Sequence, residues 1–161
     1  MPAACLERFH PCTRTWFAES FDAPTPAQAG AWSSIAAGQH TLVVAPTGSG
    51  KTLAAFLSAI DRLVQRAPEH AGSGVRTIYV SPLKALAVDV ERNLRSPLQG
   101  IRRVAEQADV RLAPVEMAIR TGDTPAAERR RFAKTPSDIL ITTPESLYLL
   151  LTSSAREMLR T

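Results

Sequence analysis

The chain has 161 residues, of which 45% are hydrophobic and 21% charged, a size and balance that fit one globular domain and exclude a disordered tail or a collagen-like fibre. No apolar run approaches the ~18 residues of a membrane span. The net charge of +4 permits a polyanionic partner without demanding one. With only Cys5 and Cys12, and Glu7-Arg8 where an export signal needs apolar residues, a reducing cytoplasm fits best.

Residues 1–40 mix Trp16, Phe17, Phe21 and Trp32 with Pro and Ala. Thr41–Ala45 is a short apolar run rich in β-formers and is predicted to be a buried strand. From Thr52 to Arg66, Leu53, Phe56, Leu57, Ile60, Leu63 and Val64 recur on one helical face. Pro68–Gly74 reads as a loop. Arg76–Val80 is the second predicted strand, stopped by Ser81-Pro82. Lys84–Leu94 has Leu86, Val90 and Leu94 on one face, and Pro97 is expected to end that helix. Leu112–Ile119 alternates Val115, Met117 and Ile119 as a third strand. Pro125–Lys134 reads as a polar helix with Thr124 as its N-cap. Asp138–Thr142 is the fourth strand, and Glu145–Leu151 begins another helix. Strands alternating with helices imply an α/β fold with a mostly parallel sheet covered on both faces. Ligands of such sheets bind outside the carboxyl ends of the strands.

The stretch Ala45-Pro46-Thr47-Gly48-Ser49-Gly50-Lys51-Thr52 lies between a predicted strand and a predicted helix. Gly48 and Gly50 allow a tight turn that aims N–H groups at phosphate oxygens, and the helix N-terminus adds its positive dipole. Lys51 is placed to reach the β- and γ-phosphates and the Thr52 hydroxyl to hold Mg²⁺. Thr47, Gly48, Ser49, Gly50, Lys51 and Thr52 are therefore the candidate triphosphate contacts, although Ala45 stands where the general pattern has Gly. Gln28 lies upstream in Pro24-Thr25-Pro26-Ala27-Gln28. Its amide has the donor and acceptor to pair with the N6/N7 edge of adenine, with Phe17 or Phe21 as a stacking partner.

Three predicted strand ends carry small hydroxyl residues with Pro or Gly before a helix. These are Ser81-Pro82-Leu83-Lys84, Arg120-Thr121-Gly122-Asp123-Thr124 and Thr142-Thr143-Pro144-Glu145-Ser146. A single such turn is usually a cap; three on one sheet edge suggest a track for a phosphate backbone.

In order and spacing, Gln28, the loop 45–52 and these three turns resemble the Q motif and motifs I, Ia, Ib and Ic of superfamily 2 helicases. The wording is most similar to the large helicase-related (Lhr) family of DEAD/DEAH-box helicases, including the opening Trp16-Phe17, Phe21, Pro24-Thr25 and Gln28. The resemblance runs from about Phe9 to Arg160. It implies a P-loop, RecA-like three-layer sandwich, with residues 1–40 as the Q-motif segment and residues 41–161 as the P-loop core of the first RecA-like domain. Gln28 would read adenine, and Lys51 and Thr52 would carry the chemistry on ATP and Mg²⁺. Ser81, Pro82, Lys84, Thr121, Gly122, Thr143 and Pro144 would contact one nucleic-acid strand. The implied partner is single-stranded DNA, with a DNA or RNA–DNA duplex as substrate, and the implied setting is DNA repair with 3′-to-5′ translocation.

The same resemblance implies an acidic Asp-Glu-x-His stretch and a second RecA-like domain, neither of which occurs before Thr161. The expectation is an N-terminal portion, incomplete at its C-terminus, that binds ATP weakly, does not hydrolyse it usefully, and exposes apolar strand edges that favour aggregation. Alternatives are a different P-loop ATP-using enzyme, such as a small-molecule kinase, and a non-catalytic nucleic-acid-binding module. Cys5, His10 and Cys12 lack the second ligand pair of a structural zinc site. Arg129-Arg130-Arg131 reads as a solvated helix face, with contact to nucleic acid as the alternative.

Overall fold

The computed structural model describes residues 5–67, 74–82 and 84–159, with side chains at all of these except 84–88. The expected loop Pro68–Gly74, apart from Gly74, and Leu83 lie outside the described residues. The elements in chain order are α1 (Pro11–Ser20), α2 (Pro26–Ala36), α3 (Lys51–Val64), β1 (Thr77–Val80), α4 (Lys84–Gln107), β2 (Met117–Arg120), α5 (Ala126–Lys134), β3 (Ile139–Thr142), α6 (Pro144–Leu151) and a 3-10 helix (Ser154–Leu159). They divide into two compact units: Met1–Gln65 with Ser96–Leu112, and Arg66–Arg95 with Ala113–Thr161.

The first unit is helical and built around aromatic side chains. His10 caps α1, its Nδ1 accepting the Cys12 N–H at 3.2 Å. Phe17, 1% exposed, and Trp32, 2% exposed, meet edge to face with centroids 5.5 Å apart, and Phe9 meets Trp32 likewise at 5.1 Å, an arrangement that ring quadrupoles favour. Phe17 is therefore core and not a stacking partner for a purine; Phe21, 43% exposed, keeps that possibility. α3 buries Phe56, Leu57, Ile60, Leu63 and Val64, on the face its periodicity predicts. Gly100 lies where any Cβ would collide with the Trp16 indole, so α4 approaches α1 closely at that point.

The second unit holds a three-stranded parallel sheet in the order β1-β3-β2. Ile139 to Thr142 pair in register with Thr77 to Val80 on one side and Met117 to Arg120 on the other. All four residues of β3 are buried, so both its faces are covered, as a central parallel strand requires. Leu140 packs with Val75, Phe132 of α5 and Leu150 of α6. Asp138 secures the start of the sheet. Its carbonyl accepts the Arg76 and Thr77 N–H groups at 2.9 and 3.0 Å, and its Oδ2 accepts the Glu116 N–H at 2.9 Å. Its Oδ1 accepts Arg66 Nη2 at 2.5 Å.

Four expectations need correction. Thr41–Ala45 is not a strand: Leu42 and Val44 are 89% and 86% exposed, and β-forming residues with no ladder partner among the described residues do not hold a strand. The third strand covers Met117–Arg120, not Leu112–Ile119, because β3 offers only four residues to pair with. Pro97 lies inside α4 and does not end it; burial of Leu94, Leu98, Ile101 and Val104 along the helix outweighs the lost hydrogen bond. Thr124 is not the N-cap of α5; Pro125 holds that position, and the Thr124 hydroxyl is turned back to Thr121.

Candidate functional site

The phosphate-loop candidate lies in the first unit. Gly48 and Gly50 have φ of 81° and 78°, the left-handed region that strongly favours Gly. Gly50 is the N-cap of α3, with no side-chain hydrogen bond over the first turn and no acidic residue in it. The leading N–H groups of α3 thus keep the orphan character and positive dipole that suit an anion. Lys51 Nζ donates to Ala45 O at 2.6 Å and Pro46 O at 2.7 Å, which folds the ammonium over the loop. Ser49 Oγ also donates to Pro46 O, at 2.7 Å. Thr47 and Thr52 are exposed, so the Thr52 hydroxyl is open to a ligand at the first turn. This hard oxygen suits Mg²⁺ brought in on phosphates.

α2 and its N-cap Thr25 are fastened to the loop and to α3 by three hydrogen bonds. Thr25 Oγ1 donates to Ser49 O at 2.9 Å, Gln28 Nε2 to Gly50 O at 3.5 Å, and Trp32 Nε1 to Ala54 O at 2.9 Å. Thr25 and Gln28 also form a capping box: Thr25 Oγ1 accepts the Gln28 N–H at 3.3 Å, and Gln28 Oε1 accepts the Thr25 N–H at 2.9 Å. Gln28 is buried, at 4% exposure. An amide has two N–H donors and two lone pairs, and these bonds use one of each. The Thr-x-x-Gln pattern is a helix-start signature that reading Gln28 only as a base reader passes over. A Cβ on Gly50 would collide with the Gln28 amide.

In the second unit, the parallel register brings the three hydroxyl-bearing turns to one edge, because Val80 and Arg120 both flank Thr142. The residues differ in what they present. Ser81 is fully buried, and its N–H donates to Thr142 O at 2.9 Å. Thr143 is 3% exposed and is the N-cap of α6, its Oγ1 accepting the Ser146 N–H at 3.4 Å. Both residues lie inside the edge, not on its surface. Thr121 is half-buried, and Pro82, Gly122 and Pro144 are exposed. Lys84 opens α4, and its side chain lies outside those described. Thr142 Oγ1 donates to Arg120 O at 2.6 Å, joining two of the turns.

A cleft of about 590 Å³ runs along β2, lined by Arg120, Thr124, Glu128, Arg129, Arg131 and Phe132 among others. Burial, and then the nearby Arg129 charge, lower the Arg120 pKa from its ordinary value. Arg129, Arg130 and Arg131 are exposed, as a solvated face requires, and Arg129 also donates to carbonyls of the turn before α5. Among the described residues no helix is long and apolar enough to cross a membrane.

A family model for the DEAD/DEAH box helicase matches residues 25–161. The Lhr helicase/probable uracil glycosylase of Mycolicibacterium smegmatis is 61% identical over 154 residues, covering 96% of this chain and 10% of that protein. The ATP-dependent helicase Lhr-Core of Methanothermobacter thermautotrophicus is 48% identical over 94% of this chain and 18% of its own length. The chain thus spans between about a tenth and a fifth of these relatives. Among solved structures, the Mycobacterium smegmatis helicase Lhr bound to ssDNA and AMP-PNP matches with a TM-score of 0.90 and 59% identity, over 96% of this chain and 19% of that one. The DEAD-box helicase Mss116 bound to ssRNA shares the fold at a TM-score of 0.74 and 20% identity, over 94% of this chain and 29% of that one. With its RecA-like α/β architecture and a family match over residues 25–161, the chain belongs to the DEAD/DEAH box helicase family.

Proposed function

We propose that this chain is the ATP-binding and strand-binding portion of an ATP-dependent DNA helicase of the Lhr type. The observation that carries the reading is the Gly50 N-cap of α3, with its uncapped first turn, beside Lys51 and under the Thr25–Gln28 box. Lys51 exchanges the Ala45 and Pro46 carbonyls for the β- and γ-phosphates of ATP, a swap of neutral for anionic acceptors that strengthens each bond. Gln28 and Phe21 take the adenine, which favours ATP over GTP. Thr47, Gly48, Ser49 and Gly50 give the loop backbone, and Thr52 holds Mg²⁺, which neutralises phosphate charge when bound. Thr121, Gly122, Pro82, Pro144 and Lys84 meet the nucleic-acid strand, while Ser81 and Thr143 fix the turns that carry them. Single-stranded DNA is the favoured strand, supported by the ssDNA and AMP-PNP of the structure that matches at 59% identity. Unwinding of a duplex, a place in DNA repair and a cytoplasmic location belong to the same reading of the longer protein.

The test is fluorescence anisotropy of a labelled oligo-dT with this chain, with and without AMP-PNP and Mg²⁺. Salt-sensitive binding whose affinity changes with nucleotide is expected. Saturable nucleotide binding with no strand binding contradicts the reading and favours a small-molecule P-loop enzyme.

A further inference from the structure

The turn that follows β2 is closed from several sides. Thr124 Oγ1 accepts the Thr121 N–H at 2.9 Å, and the Thr124 N–H donates to Thr121 O at 3.2 Å. Arg129, one turn into α5, then spans it: Nε donates to Thr124 O at 2.7 Å and Nη2 to Gly122 O at 3.1 Å. One guanidinium thus bridges two carbonyls of a turn that contains a glycine. Gly122 loses more backbone freedom on ordering than any other residue type would, so without the bridge this turn would sample other forms. The Thr121 N–H is already committed to Thr124, so the turn has the Thr121 hydroxyl and the Gly122 N–H to offer a phosphate. Only an ordered turn presents these together.

We propose that Arg129 is a positioning residue for nucleic-acid binding: it holds the Thr121–Gly122 turn in the form that receives a backbone phosphate. The proposal rests on the strand-binding reading above. Its chemistry depends on the planar fork of arginine. Lysine carries the same charge but is a point donor and does not reproduce two fixed N–H directions. Arg129 acts from the carbonyl side of the turn and neutralises no phosphate itself. Its loss therefore weakens binding by removing preorganisation, not by removing a counter-ion to the strand.

The experiment titrates labelled oligo-dT with the wild-type chain, Arg129→Lys, Arg129→Gln and Thr121→Ala over a series of salt concentrations. Melting temperature and AMP-PNP affinity are read for each as controls on folding. Both Arg129 variants are expected to bind about tenfold more weakly, the scale of a lost preorganised contact. Their plots of log affinity against log salt are expected to stay parallel to wild type. Arg129→Lys that binds like wild type overturns the proposal, because charge alone then suffices. A slope reduced by about 0.7 in Arg129→Gln also overturns it, since that is the mark of a direct phosphate contact on a single strand. Lowered melting temperature in both variants with strand affinity unchanged shows a structural role only and overturns it too. No strand binding by the wild-type chain overturns the strand-binding reading itself; wild-type binding weakened by Thr121→Ala but not by Arg129→Lys overturns this proposal alone.

Discussion

Gly50 joins a backbone requirement to a packing requirement at one position. Its φ of 78° costs a side-chain-bearing residue about 1–2 kcal/mol, and any Cβ there meets the Gln28 amide. Gly50→Ala is expected to weaken ATP-analogue binding and to lower the melting temperature by several degrees, measured by nucleotide titration and thermal unfolding. Asp61, buried in α3, is a second residue with a measurable signature. Its Oδ1 accepts the His10 N–H at 2.9 Å, and its Oδ2 accepts Gln65 Nε2 at 2.6 Å. Burial pushes its carboxyl above the ordinary 3.8, with the His10 N–H acting against that push. The folded chain therefore holds this proton more tightly than the unfolded chain. The contribution to stability is full below the unfolded value, falls as pH rises through the raised folded value, and then stays level. Asp61→Asn removes that slope. Paired urea titrations should show the variant gaining on wild type as pH rises above 3.8, before levelling; a difference that stays flat over this range contradicts the assignment. At this scale the tight turn at Gly48 and Gly50 and the helix start at Lys51 were legible, because two glycines before a helical pattern have few other uses. The bridge made by Arg129 was not: the three arginines are solvated as expected, and only the structure shows the two carbonyls that one of them joins.

Asp138 shows how one buried side chain organises an element. It joins the starts of β1 and β2 to β3 through backbone and carboxylate hydrogen bonds and pairs with Arg66. Asp138→Ala removes the carboxylate that faces Arg66, whose side chain is 16% exposed, and the acceptor of the Glu116 N–H. Removing one member of a buried pair costs about 3–5 kcal/mol. Urea unfolding should show a loss of this order, and a loss under about 1 kcal/mol, the scale of an exposed pair, would refute the role. The element types were largely legible: α3, α5 and α6 begin and end within two residues of the pattern, and β1 and β3 within one. The failures share a cause. Thr41–Ala45, Leu112–Glu116 and Pro97 were read from local preference, whereas ladder partners and buried contacts decided the outcome.

At the scale of the whole molecule, the exposed apolar surface is the feature with consequences. Leu42, Val44, Ile78, Val80, Tyr148, Leu149 and Leu151 all lie open to solvent. Exposed β-forming segments promote self-association. Leu42→Lys with Val44→Lys is expected to raise the soluble concentration limit severalfold, read by light scattering, at a stability cost within about 0.5 kcal/mol per site; unchanged association with both lysines in place would count against this surface as its source. The same scale sets what the chain does. The α/β fold was legible in its sequence, and the strand-end turns do meet on one sheet edge. The division into two compact units was not, because long-range packing decides it. The account turns on Lys51, whose ammonium now rests on two loop carbonyls. The most direct measurement is titration of this chain and of Lys51→Ala with a fluorescent, non-hydrolysable ATP analogue and Mg²⁺. The account predicts saturable binding by the wild-type chain that weakens at least tenfold in the variant, the scale of a charge-assisted contact. Equal affinity in the two, or no binding by the wild-type chain, would contradict it.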